Sequence, residues 1–171
     1  MIGVVNKIIP FSSVDGPGNR TAIFLQGCNF NCQYCHNPET IHHCIHCGYC
    51  VRHCPTGALY IADGSVHYDH TKCAMCDACF THCRNGGSAR VRNMTAEEVM
   101  AVVKKQMPFI RGITVSGGEC TLQRDFLLEL LTLAKRSEIE KLDAGKAVRQ
   151  NTTALAQGAK DNCKIYQRRI R

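Results

Sequence analysis

Cys28, Cys32 and Cys35 lie in the run Gly27-Cys28-Asn29-Phe30-Asn31-Cys32-Gln33-Tyr34-Cys35-His36, spaced C-x3-C-x2-C. Three thiolates at that spacing hold three corners of an iron–sulfur cube, whereas an electron-carrying cubane takes four. The remaining iron then has no protein ligand, and an open coordination position is what separates a catalytic metal site from a closed one. The loop points to chemistry done on a small molecule bound at that iron.

Two longer runs follow, Cys44-x2-Cys47-x2-Cys50-x3-Cys54-Pro55 and Cys73-x2-Cys76-x2-Cys79-x3-Cys83-Arg84. In two-cluster ferredoxins the fourth cysteine of each run ligates the other cluster. That rule assigns Cys44, Cys47, Cys50 and Cys83 to one cube and Cys73, Cys76, Cys79 and Cys54 to a second. The alternative is a zinc-binding module on the C-x2-C pairs, with His42, His43, His46 and His53 close by, but zinc sites rarely repeat so long a four-cysteine run. Of the 13 cysteines, Cys120 and Cys163 are left over and read as inert thiols. Ser116-Gly117-Gly118-Glu119 is a further candidate. Its glycines let a ligand approach the backbone, and Glu119 can accept hydrogen bonds from an ammonium, although a plain turn would use the same glycines.

These loops need elements to hold them. Thr21–Gln26 reads as a buried strand that ends at the three-cysteine loop, and Gly112–Ser116 as a second strand that ends at Gly117. Thr95-Ala96-Glu97-Glu98 is a capping box that opens a helix with Val99, Val102 and Val103 on one face, closed by Pro108. Phe126, Leu127, Leu130, Leu131 and Ala134 mark an amphipathic helix through about Arg136. Strand, helix, strand, helix predicts a parallel α/β sheet with its active loops at the carboxyl ends of the strands. Residues 41–92 change texture to cysteine clusters and turns and read as an insert. Residues 138–171 contain no strand pattern, with helices expected around 141–150 and 153–160.

Composition narrows the function. The net charge is +7, and residues 137–171 hold eight Lys and Arg against four Asp and Glu. A basic tail, 6% aromatic residues and no Trp offer no stacking platform, so no nucleic-acid partner is expected. No secretory signal and no apolar run approaching the ~18 residues of a membrane span are present. A reducing, cytoplasmic compartment is expected, with the cysteines as metal ligands rather than disulfides.

The chain resembles the radical S-adenosylmethionine (SAM) enzymes, and among them the glycyl-radical-enzyme activating enzymes of the pyruvate formate-lyase activase type. The matching residues are Phe11-Ser12-Ser13-Val14-Asp15-Gly16-Pro17-Gly18-Asn19-Arg20, then Phe24 through Glu39, and Thr114-Val115-Ser116-Gly117-Gly118-Glu119. The two-cluster insert resembles the YjjW-like subgroup. The resemblance implies a partial (β/α) barrel with a ferredoxin-type insert: residues 1–40 as the first part of the radical SAM domain, 41–92 as the insert, 93–136 as its continuation, and 137–171 as a basic tail atypical of the family, the barrel being cut short after about residue 136. It implies three 4Fe-4S clusters, with SAM chelated at the cluster of Cys28, Cys32 and Cys35. Tyr34 would pack on the adenine, and Gly117, Gly118 and Glu119 would hold the methionine ammonium. Asp15, Gly16, Pro17 and Gly18 are candidate substrate contacts, while His36 and Asn37 match the family without an assigned role. The implied activity is reductive SAM cleavage to a 5′-deoxyadenosyl radical that takes hydrogen from a glycine of a partner glycyl radical enzyme, with a reduced flavodoxin or ferredoxin as electron donor. A non-catalytic ferredoxin-like electron-transfer protein is the alternative.

Overall fold

The computed structural model describes residues 1–137. The sheet elements are β1 (Ile2–Ser12), β2 (Arg20–Leu25), β3 (His42–His43), β4 (Leu59–Ala62), β5 (Ser65–Tyr68), β6 (Gly87–Ser88), β7 (Arg92–Thr95) and β8 (Gly112–Gly117). The helices are α1 (Ala78–Thr81), α2 (Ala96–Lys104) and α3 (Arg124–Arg136). The expected helices at 141–150 and 153–160, the basic tail and Cys163 lie outside the described residues.

The main sheet runs β7-β1-β2-β8. Only β2 and β8 are parallel, in register from Arg20–Gly112 to Leu25–Gly117, while β1 pairs antiparallel with both β2 and β7. The expected all-parallel sheet is therefore corrected to a mixed one. The sequence pattern of β1, Ile2 to Ser12, lacks clean alternation because its burial is uneven and register shifts interrupt its pairing with β2. Every residue of β2 is buried, as a central strand covered on both faces must be.

One face of this sheet is closed by the two long helices. Val5, Ile23, Leu25, Ile113 and Val115 pack with Val99, Met100 and Val103 of α2 and Phe126, Leu127 and Leu130 of α3. The capping box forms as the sequence requires: Glu98 N donates to Thr95 Oγ1 at 3.2 Å and Thr95 N to Glu98 Oε2 at 2.8 Å. The other face carries Arg20, Ala22 and Phe24, set by the two-residue alternation of a strand.

Between the loop after β2 and strand β7 lies a second unit with its own small core of Cys50, Leu59, Val66, Cys79 and Ala89. The β4–β5 hairpin and the β3–β6 bridge frame it. Two of its five buried core residues are expected cluster ligands, so its interior mixes cysteine with a few aliphatic side chains.

Candidate metal centres and the loops that hold them

The three-cysteine loop starts at the carboxyl end of β2 and closes on itself. Gly27 N donates to Thr40 O at 2.8 Å and Cys28 N to Ile41 O at 3.0 Å. Phe30 N donates to Cys28 Sγ at 3.4 Å. Beneath the loop is Gln26, 2% exposed. Its Nε2 reaches Glu39 O at 3.0 Å and His42 O at 2.7 Å, and its Oε1 accepts from Asn6 Nδ2 at 2.7 Å. Cys35 and Tyr34 lie at the exposed outer part of the loop.

Beside it, β8 ends in the Gly-Gly-Glu run. Gly118 N donates to Leu25 O at 2.9 Å and Glu119 N to Gly27 O at 2.8 Å, so the two loops share one backbone joint. A Cβ on Gly118 would come within 2.1 Å of Gly27 O, and one on Gly117 within 2.4 Å of Leu25 N. Close approach of two backbones is enough to require both glycines. Glu119 is buried, and its Oε1 accepts from Thr121 N at 3.0 Å and Thr121 Oγ1 at 2.6 Å. Cys120, also buried, has its thiol pushed up to about 12 by burial and then by the Glu119 carboxylate.

Asp15-Gly16-Pro17-Gly18 lies elsewhere. Asp15 O accepts from Thr114 Oγ1 at 2.7 Å, and the buried Arg20 ties Thr114 Oγ1, Ile113 O and Pro17 O together at 2.8, 2.7 and 3.2 Å. Thr114 pairs with Ala22, three residues before the Leu25–Gly117 pair. At ~3.3 Å per residue the segment sits about 10 Å down the strands from the cysteine loop. The structure joins the cysteine loop to Gly118 and Glu119, and it does not bring Asp15–Gly18 to them.

In the second unit the cysteines gather in two cavities. One is lined by Cys44, Cys47, Cys50, Cys79 and Cys83; the other by Cys54, Cys73, Cys76 and again Cys79, together with Tyr68 and Arg90. The two runs repeat one backbone path. His46 and Met75, each two residues after the first cysteine, have φ of 56° and 53°; Gly48 and Asp77, each one after the second, have φ of 72° and 59°. His46 N and Met75 N donate to Cys44 Sγ and Cys73 Sγ at 3.3 and 3.4 Å. The residues before the fourth cysteines, His53 and His82, stack with ring centroids 4.0 Å apart.

Burial pushes the Cys50 thiol up to about 11 and raises Cys44 and Cys79. At Cys54 burial acts the same way, but N–H donors from Leu59, Thr56 and Ala58 outweigh it and leave the thiol below its ordinary value. Among the described residues no three His, Cys, Asp or Glu side chains converge to hold a single metal ion. A cube sets its four thiolates on separate irons, wider apart than around one ion, so the all-sulfur donor sets suit clusters.

Comparison with known proteins agrees with this chemistry. Residues 14–56 match the model of a 4Fe-4S single cluster domain and residues 43–86 that of a 4Fe-4S dicluster domain. The indoleacetate decarboxylase activating enzyme of Tractidigestivibacter scatoligenes is 39% identical over 152 residues, covering 75% of this chain and 48% of its own. The isethionate sulfite-lyase activating enzyme of Desulfovibrio desulfuricans is 34% identical over 157 residues, covering 80% and 50%. This chain is similar to the glycyl-radical-enzyme activating enzymes over most of its length. The pyruvate formate-lyase-activating enzyme of Streptococcus mutans is similar too, 34% identical over 140 residues, covering 80% of this chain and 37% of its own. The chain spans about half the length of the curated relatives it matches. Residues 111–171 match a different model, described as glycyl radical enzyme YjjI-like, over a stretch that includes the segment read as an atypical tail.

Asn6, Gln26, Thr40, Arg90 and Gln123 support these sites without a motif to mark them, as does His43, which the sequence offers only as a histidine near the cysteine pairs. His43 covers Gly27, where a Cβ would meet its Nε2 at 2.7 Å, and Gln123 Nε2 donates to Val4 O and Gln26 O at 3.1 and 2.9 Å. Their only sequence signal is a polar residue inside or beside an apolar run, as Gln26 is after Ile23-Phe24-Leu25. Among the described residues no helix is long and apolar enough to cross a membrane.

Proposed function

We propose that this chain is the cluster-bearing part of a glycyl-radical-enzyme activase, residues 1–40 and 93–136 forming part of a radical SAM barrel around the 41–92 insert. The observation that carries the reading is the shared joint at Gly27, which puts a three-cysteine loop and a Gly-Gly-Glu turn side by side at the carboxyl ends of two parallel strands. Parallel strands of α/β folds present ligand sites at that end.

Cys28, Cys32 and Cys35 would hold a 4Fe-4S cluster, and the two cysteine quartets of the insert one each. When bound, the loop's cluster supplies the electron that splits SAM into methionine and a 5′-deoxyadenosyl radical able to take hydrogen from a glycine of the partner enzyme. The chain's own residues do the holding. Gln26 and Thr40 brace the loop so that its thiolates keep one geometry, and the Gly117–Gly118 backbone, locked against Leu25 and Gly27, would meet the methionine end of SAM. Glu119 offers a buried carboxylate to the ammonium. Tyr34, exposed beside Cys35, would cover the adenine. Asp15–Gly18, tied to β8 through Arg20 and Thr114, is the surface along which the glycine loop would enter. A reduced flavodoxin or ferredoxin would feed the insert. The relatives' printed names support a glycyl radical enzyme as partner, and so does the segment of this chain that matches the model of that enzyme class.

Anaerobic reconstitution with iron and sulfide, an iron count and a SAM cleavage assay test this. About twelve irons per chain with release of 5′-deoxyadenosine are expected, four for each cube. About eight irons without cleavage would replace the reading with a ferredoxin-like electron-transfer protein. A colourless protein with stoichiometric zinc would overturn both.

A further inference from the structure

We propose that Arg90 sets the two insert centres at different reduction potentials, making the Cys54–Cys73–Cys76–Cys79 centre the more easily reduced. The inference rests on the cluster reading above and goes beyond it, because nothing in the ligand pattern distinguishes the two quartets. What distinguishes them is charge. Arg90 is 8% exposed and lines the cavity of the second quartet alone. Its Nη2 donates to Asp77 Oδ1 at 2.5 Å and its Nη1 contacts Met75 Sδ at 3.9 Å, while its backbone N donates to Ser88 Oγ at 3.1 Å. The guanidinium is thus held from both sides in one position. It keeps its charge at any working pH.

The first cavity has no charged side chain in its lining: Ile45, Gly48, Tyr49, Gly87, Ser88 and Ala89 surround its cysteines. The nearest parallel is Arg84, over the Tyr49 ring at 4.3 Å, but Arg84 is exposed and water screens it. Asp77 offsets Arg90 only in part. Its carboxylate side is 65% exposed against 10% for the arginine, so solvent damps the negative charge far more than the positive one.

Reducing a cube adds a negative charge to a centre already surrounded by four thiolates. A fixed buried cation beside it stabilises that form, and nearby charge and burial are what spread cluster potentials over their wide range. The consequence is an order within the relay. The Cys44 centre is the one joined by β3 to the three-cysteine loop, since Cys44 follows His42 and His43 and Cys28 N donates to Ile41 O. With both clusters bound, an electron in the insert would rest on the Arg90 side, and its passage to the Cys44 side would be uphill.

The test is a redox titration of the reconstituted full chain followed by electron paramagnetic resonance. In Arg90→Met the reduced-to-oxidised ratio of one insert centre should fall at least about tenfold at fixed potential, a downward shift of ~59 mV for one electron. The shifted signal should survive Cys47→Ala and vanish with Cys76→Ala. Arg90→Lys should stay near the parent value, and Asp77→Asn should move the same centre upward. Asn is well suited to the left-handed backbone at position 77, so that variant decides the matter if Arg90→Met loses its centre. Unmoved midpoints in Arg90→Met with full iron, equal shifts of both centres, or an unmoved midpoint in Asp77→Asn would overturn the inference alone. A parent chain with no insert signals would overturn the cluster reading with it.

Discussion

At the scale of single residues, the loop that carries Cys28 depends on groups that touch no metal. Gln26 satisfies two part-buried carbonyls and the buried Asn6 at once. Gln26→Leu leaves the buried Asn6 amide unpaired, at about 1–3 kcal/mol. The expected result is a clear drop in melting temperature together with loss of iron from the three-cysteine loop, read by iron count. Gly118→Ala should act more locally, because its Cβ would meet the Gly27 carbonyl, a backbone atom that cannot turn aside. That variant should lose the loop's iron while the insert keeps its own. Cys120 behaves in the opposite way. Its thiol holds its proton up to about 12 in the fold and ionises near 9 when unfolded, so this group's support for the fold is complete below pH 9 and fades above it. Alkylation of the native chain at pH 8, mapped by mass spectrometry, should leave Cys120 unmodified.

Among the elements, the helices carry ordinary local energetics. Thr95→Ala removes one half of a capping box that is fully formed and should cost about 1 kcal/mol, measurable in a urea titration. Leu130 is fully buried between α3 and the sheet, so Leu130→Ala should cost about 2–5 kcal/mol. The strands are less local. β2 is legible because it is buried on both faces and reads as a continuous apolar run. β1 and β7 are not, since Lys7, Pro10 and Asn93 interrupt them and they pair with each other across the whole insert. Antiparallel addition of β1 on one side of β2 and parallel addition of β8 on the other is a choice that no run of residues records.

Across the whole molecule, the two units differ in what holds them. The sheet unit has a continuous aliphatic core, whereas the insert's buried set includes Cys50 and Cys79 and depends on cysteine in two of five places. Metal binding and folding should therefore be linked in the insert and nearly independent in the sheet. Hydrogen exchange on the iron-free chain should show fast exchange over 44–86 and retained protection over 20–25 and 96–103. Reconstitution should restore protection to the insert alone.

The amino-acid sequence by itself determined the ligand inventory: three cysteines in one loop, two quartets in the insert, the capping box and the Gly-Gly-Glu turn are all short-range patterns, and spacing along the chain is enough to write them. The tertiary structure decided how these patterns meet. It joined Cys28 and Gly118 through Gly27, set Asp15–Gly18 down the strands from them, and placed Arg90 in one cavity and not the other. Those outcomes depend on backbone approach, burial and charge between residues tens of positions apart, which local spacing does not encode.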